Sequence, residues 1–116
     1  MDGVIIISTP QEIALQDVKR GIRMFDKLKV KILGLIDNMS HFIGDDGKKY
    51  AIFGEGGVKK TAEEFKKDFM GEIPIDPEVG KQGDLGSPIV ESKPDHEVSK
   101  IYFKFAEKIK SIYLLD

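Results

Sequence analysis

The chain has 116 residues, with 18 Lys plus Arg against 20 Asp plus Glu and no cysteine. A chain of that length predicts one domain over residues 1–116, with a modest hydrophobic core. Interspersed charges offer no basic stripe to nucleic acid, and the missing thiols exclude disulfides, thiolate metal sites and cysteine nucleophiles within this sequence.

The first residues, Met1 to Ser8, carry no basic leader, and their apolar run is far below the roughly 18 residues that span a bilayer. A cytoplasmic protein without membrane contact is expected. Val4 to Ile7 is a short β-branched run, apolar on both faces, which predicts an inner strand of a parallel sheet. Thr9-Pro10-Gln11-Glu12 then reads as a capping box, with Thr9 as N-cap and Pro10 at the first helical position. The helix that follows presents Ile13, Val18, Ile22, Phe25 and Leu28 as its apolar stripe and ends near Lys29.

Val30 to Ile36 predicts a second strand, completing a βαβ unit and hence a sheet that is parallel at its core. An excursion over about residues 41–54 comes next, in which Phe42-Ile43 and Tyr50-Ala51-Ile52-Phe53 flank a turn-rich interval with an Asp46-Gly47 step, a hairpin signal. Val58, Ala62 and Phe65 mark a short helix, and Phe69 to Ile75 a third strand. The Gly- and Pro-dense stretch from Asp76 to Pro94 predicts loop with a single helical turn. Asp95 is expected to cap a final helix whose stripe is Val98, Ile101, Tyr102, Phe105, Ile109 and Ile112.

In open α/β sheets ligands bind beyond the carboxyl ends of the strands. That places Ser8-Thr9-Pro10-Gln11, Asp37-Asn38 and Pro74-Ile75-Asp76 along one rim. Asn38 combines an amide donor with a carbonyl acceptor and can read a purine edge in both senses; on spacing alone the turn-cap reading is the favoured one. Gly54-Glu55-Gly56-Gly57 lacks the Gly-Lys-Ser/Thr ending of a phosphate loop and reads as a tight entry into a helix. Asp45 and Asp46, with His41 nearby, read as a solvated turn tip, and neither histidine is brought beside a nucleophile by anything in the sequence. Asp76, Glu78 and Asp84 read as helix caps.

Five segments in order resemble the C-terminal part of the Mrp/ApbC family: Ser8-Thr9-Pro10-Gln11, Asp37-Asn38-Met39-Ser40, Ile52-Phe53-Gly54-Glu55-Gly56-Gly57, Gly71-Glu72-Ile73-Pro74-Ile75-Asp76 and Ser87-Pro88-Ile89-Val90. Those proteins are P-loop ATPases that carry iron–sulfur clusters, within the ParA/MinD-like superfamily. The resemblance, from Asp2 to about Lys110, implies an α/β, three-layer fold with a small, mostly parallel sheet, the C-terminal half of a Rossmann-like P-loop NTPase. It implies ATP as ligand, with Asn38 contacting the base and Pro74, Ile75 and Asp76 lying along the adenine. It also implies iron–sulfur recipient proteins as partners, and a dimer-forming hairpin.

In that comparison the phosphate loop would precede Met1, and the Cys-x-x-Cys of the hairpin is replaced by Gly44-Asp45-Asp46-Gly47. An isolated chain is therefore expected to bind ATP weakly, to hydrolyse none and to hold no cluster. Its first strand would lack a neighbour on one edge, predicting self-association or pairing with a separate N-terminal half. Two other readings stay open from sequence: a non-enzymatic interaction module that pairs with another chain, and a stand-alone flavodoxin-like binder of small molecules.

Overall fold

The computed structural model describes residues 3–52 and 54–114. Met1, Asp2 and Phe53, the last residue of the expected hairpin arm, lie outside the described residues. The backbone groups into two compact units, divided between Ile75 and Asp76, where length predicts one domain.

In the first unit, β1 (Val4–Ser8), α1 (Glu12–Lys27), β2 (Ile32–Asn38), the strands β3 (Phe42–Ile43) and β4 (Lys49–Tyr50), α2 (Gly57–Glu64) and β5 (Phe69–Ile73) follow in order. The main sheet has order β1-β2-β5, and both pairings are parallel. This is the expected α/β fold with a small parallel sheet. Each step to a neighbouring parallel strand runs through a helix, and two such steps in one direction put both helices on one face. Accordingly Val18 and Ile22 of α1, Leu35 of β2, and Val58 and Ala62 of α2 form a single buried cluster.

β2 takes the central position because residues 33–37 are all buried, as a strand paired on both sides and covered by helices requires. β1 was expected to be an inner strand. Among the described residues it is an edge strand paired with β2 alone, and Ile7 is 57 % exposed.

Several boundaries move for identifiable reasons. The capping box does not form: Thr9 Oγ1 donates to Gln11 Oε1 at 3.2 Å, Pro10 is buried, and α1 begins at Glu12. Ile13 was placed on the apolar stripe but is exposed, because it lies about 140° around the helix from Val18. Leu28, also assigned to the stripe, is the exposed C-cap. Val30 was read as the start of a strand. Instead Lys29 turns in the left-handed region and Val30 N–H donates to Phe25 C=O, a helix-closing arrangement in which an apolar residue often follows the turn. β2 therefore starts two residues later and carries Asp37 and Asn38 as its last residues, not as the loop after it.

The second unit contains α3 (Pro77–Asp84), α4 (Ile89–Ser92) and α5 (Glu97–Leu114). The expected loop over 76–94 thus holds a full two-turn helix. Its start is well marked: Asp76 Oδ1 accepts from Glu78 N–H at 2.9 Å and Pro77 takes the first helical position. Gly80 and Gly83, both poor helix formers, concealed it. Asp95 does not cap α5; His96 Nδ1 does, accepting from Val98 N–H at 3.1 Å. Ser99 is fully buried, its hydroxyl 2.7 Å from Lys93 C=O and 3.0 Å from Ile89 C=O, joining α5 to α4. Val98 and Phe105 of the α5 stripe are buried, while Tyr102 is exposed.

Leu35 is wholly buried at the centre of the first unit. Leu35→Ala is expected to cost about 2–5 kcal/mol in a urea titration, whereas Leu28→Ala, at an exposed helix end, should change the midpoint little.

Candidate functional site

The carboxyl ends of β2 and β5 make a shared rim. In the parallel register Asn38 lies opposite Ile73 and Asp37 opposite Glu72, with Ser8 of β1 on the other side of Asp37. The chains leaving the two strands run side by side. Ser40 N–H donates to Ile73 C=O at 3.0 Å, and Ile75 N–H donates to His41 C=O at 2.6 Å. Pro74 stands between those two bonds, where its missing N–H costs nothing and its ring ends the strand.

Asn38, Pro74 and Ile75 are thus neighbours, all half-buried. The Asn38 carbonyl oxygen accepts from Met39 N–H at 3.0 Å, while Met39 itself sits in the left-handed region, uncommon for a side chain of that size. This local bond orients the amide and directs its NH2 group away from Met39. Asp76 belongs to the second unit. One carboxylate oxygen caps α3, and the other lies 3.3 Å from His96 Nε2. With Nδ1 accepting from Val98, the His96 ring carries its proton on Nε2 and donates it to Asp76. Glu78, beside this pair, is pulled down to about 2 by hydrogen bonds from Lys93 and Gln82.

Asp37, placed by sequence on the rim only as part of a strand-end pair, has an environment that sequence reasoning did not foresee. It is 1 % exposed, and its Oδ1 is a buried atom with no hydrogen-bond partner among the described residues. Burial, and secondarily the charge of Glu72, push its carboxyl up to about 6 against the opposing pull of Lys49. An acid at an inward-facing position of an apolar strand was the available signal. Glu72 Oε2 in turn pairs with Lys49 Nζ of β4 at 3.2 Å and lies 3.8 Å from His41 Nδ1. Burial and the Lys49 charge lower the His41 ring below its ordinary value, with Glu72 opposing. This carboxylate ties the hairpin to the sheet.

Gly54 to Gly57 lead into α2. Gly56 is the left-handed N-cap of α2, and Thr61 Oγ1 donates to Gly57 C=O at 2.9 Å, so the segment is a helix entry as read from sequence. Among the described residues no helix is long and apolar enough to cross a membrane.

Solved structures share this parallel α/β fold. A nucleotide-binding protein from Archaeoglobus fulgidus, in complex with ADP, matches with a TM-score of 0.63 at 38 % identity, over 73 % of this chain and 35 % of that one. The cell-division ATPase MinD of Pyrococcus furiosus matches with a TM-score of 0.72 at 21 % identity, over 96 % of this chain and 43 % of that one, a likeness of fold. The chain belongs to the ParA family, in the branch described as NUBPL iron-transfer P-loop NTPase, which matches residues 1–110. An iron–sulfur cluster carrier protein of Aquifex aeolicus is 42 % identical over 97 % of the chain and 31 % of its own length. The iron–sulfur protein required for NADH dehydrogenase, mitochondrial, of Arabidopsis thaliana is 42 % identical over 94 % of the chain and 35 % of its own length. The chain spans about a third of these relatives.

Because the carboxyl of Asp37 is raised from 3.8 to about 6 by folding, its contribution favours the native state most below about pH 4 and is lost as pH rises through 6. Asp37→Asn is expected to stabilise the protein by up to about 3 kcal/mol at pH 7 and by little at pH 4. Chemical denaturation at the two pH values checks this; an equal effect at both would show that charge is not the cause.

Proposed function

We propose that these residues supply the base-recognising wall of an ATP-binding ParA-family protein, whose phosphate-holding residues belong to sequence outside this segment. The observation that carries the reading is the pair of backbone bonds that set the Asn38 loop against Pro74 and Ile75 at the carboxyl rim of adjacent parallel strands. The ADP complex of the Archaeoglobus fulgidus relative supports a nucleotide as the ligand. Asn38 would present its NH2 group to the ring, with Pro74 and Ile75 as an apolar wall. By the names of its relatives, the whole protein works in iron–sulfur cluster traffic; proteins that receive clusters would be its partners.

Most triphosphate affinity comes from a lysine and a backbone cradle. ATP with magnesium is therefore expected to bind this segment more weakly than about a millimolar, without hydrolysis, and to shift the NMR signals of Asn38 and Ile75. Asn38→Ala should abolish those shifts. Tight binding, or saturation with no change at these residues, would overturn the reading.

A second reading is favoured by the free edge of β1, apolar and paired on one side only among the described residues. It makes the segment a pairing module, completed by another copy or by a separate N-terminal half. Sedimentation from micromolar to millimolar concentrations should show self-association; a monodisperse monomer throughout would defeat it.

A further inference from the structure

The names of the relatives raise the question of what the hairpin tip of this chain can hold. Iron–sulfur clusters are held by thiolates or, less often, by imidazoles, and carboxylates suit harder cations. These 116 residues contain no cysteine and two histidines. The His96 ring has both nitrogens engaged, by Val98 N–H and by Asp76, and His41 Nδ1 lies 2.5 Å from Ser40 Oγ.

The tip is fastened by its own hydrogen bonds. Gly44 N–H donates to Lys48 C=O at 2.9 Å, and Gly47 N–H donates to Gly44 C=O at 2.9 Å. Asp46 uses both oxygens to fasten the turn, Oδ1 accepting from Lys48 N–H at 2.9 Å and Oδ2 from the Tyr50 hydroxyl at 2.6 Å. The hydrogen bond from Tyr50 holds the Asp46 carboxyl below the usual carboxylate range, and the same bond raises the phenol.

Gly44 and Gly47 are where the family resemblance places cysteines; a side chain at 44 would displace the side chains that close the tip, and one at 47, though it would meet no neighbour, would sit on a left-handed backbone. A Cβ at 44 would stand 2.8 Å from Tyr50 Cε2 and 2.9 Å from Asp46 Oδ1, contacts that force something to move. Gly47 has φ of +77°, which strains any L side chain.

We infer that the β3–β4 tip is closed by an Asp46–Tyr50 hydrogen-bond lock that takes the place of thiolate ligands there and that a side chain at position 44 would force apart. The hairpin then keeps its shape without metal, and Lys49 fastens it to Glu72 of the sheet. This goes beyond the nucleotide reading and does not depend on it. Nucleotide titration reports on Asn38 and Ile75, whereas the lock is read at the tip, so failure of either is distinguishable.

The purified chain, incubated anaerobically with ferrous iron, sulfide and a thiol reductant and then desalted, is expected to retain neither iron nor acid-labile sulfide in stoichiometric amount. The NMR signals of Lys48 and Tyr50 should be unchanged by the treatment. Stoichiometric retention with shifts at the tip would overturn the inference. Tyr50→Phe, at a residue exposed enough to leave the core intact, should speed hydrogen exchange several-fold at the Gly44 and Gly47 amides; unaltered exchange would sink the lock. Gly44→Ala should act on the same device, so the double variant should exchange no faster than the faster single one. Additive effects would show two independent contacts and no lock.

Discussion

Everything in the first unit is referred to the central strand β2. It is the only strand of the main sheet with parallel partners on both sides among the described residues, and it contributes the side chain, Leu35, against which both helices pack. Parallel pairing with both neighbours aligns the carboxyl ends of the strands, and that alignment puts Asn38, Ile73 and the chain beyond Pro74 at one level. Shifting β2 by one residue would turn Leu35 and Asp37 to the opposite face and dissolve the core and the rim together.

That dependence explains what could be read from the sequence. β-branched runs, helical periodicity and the Asp-Gly turn located every strand, both helices of the first unit and the final helix, because each signal is local. The errors arose where a local signal met a tertiary demand. Val30 has the chemistry of a strand residue yet closes a helix, and Thr9 has that of a cap yet bonds to Gln11. Ile13 was put on the stripe by its apolar chemistry, although its angle around the helix from Val18 takes it off the buried face. The positions of Asn38, Pro74 and Ile75 at strand ends were legible because strand ends are. The unpartnered oxygen of Asp37 was not, since it depends on what the helices leave uncovered by donors.

Asp37 and Glu72 stand side by side on adjacent strands, yet their surroundings divide them. Glu72 reaches a lysine and solvent, while Asp37 is enclosed and lacks a donor for one oxygen. A well-packed core would carry an apolar residue at that position. Acids retained at such expense concentrate at functional rims, and this one is adjacent in sequence to Asn38. The family to which the chain belongs is thus represented here by a rim whose electrostatics are set within the segment, even though the segment spans about a third of its relatives.

The α3 helix carries two glycines in eight residues and is held chiefly from its first turn, by the Asp76 cap and by the Lys93 ammonium on Glu78 at 2.6 Å. Neither the intrinsic preference of its residues nor its length would sustain it as a peptide. Part of its support thus comes from the chain some fifteen residues beyond Glu78, since Lys93 follows α3 in sequence. On a ribosome, this helix would gain that part of its support only after Lys93 has emerged.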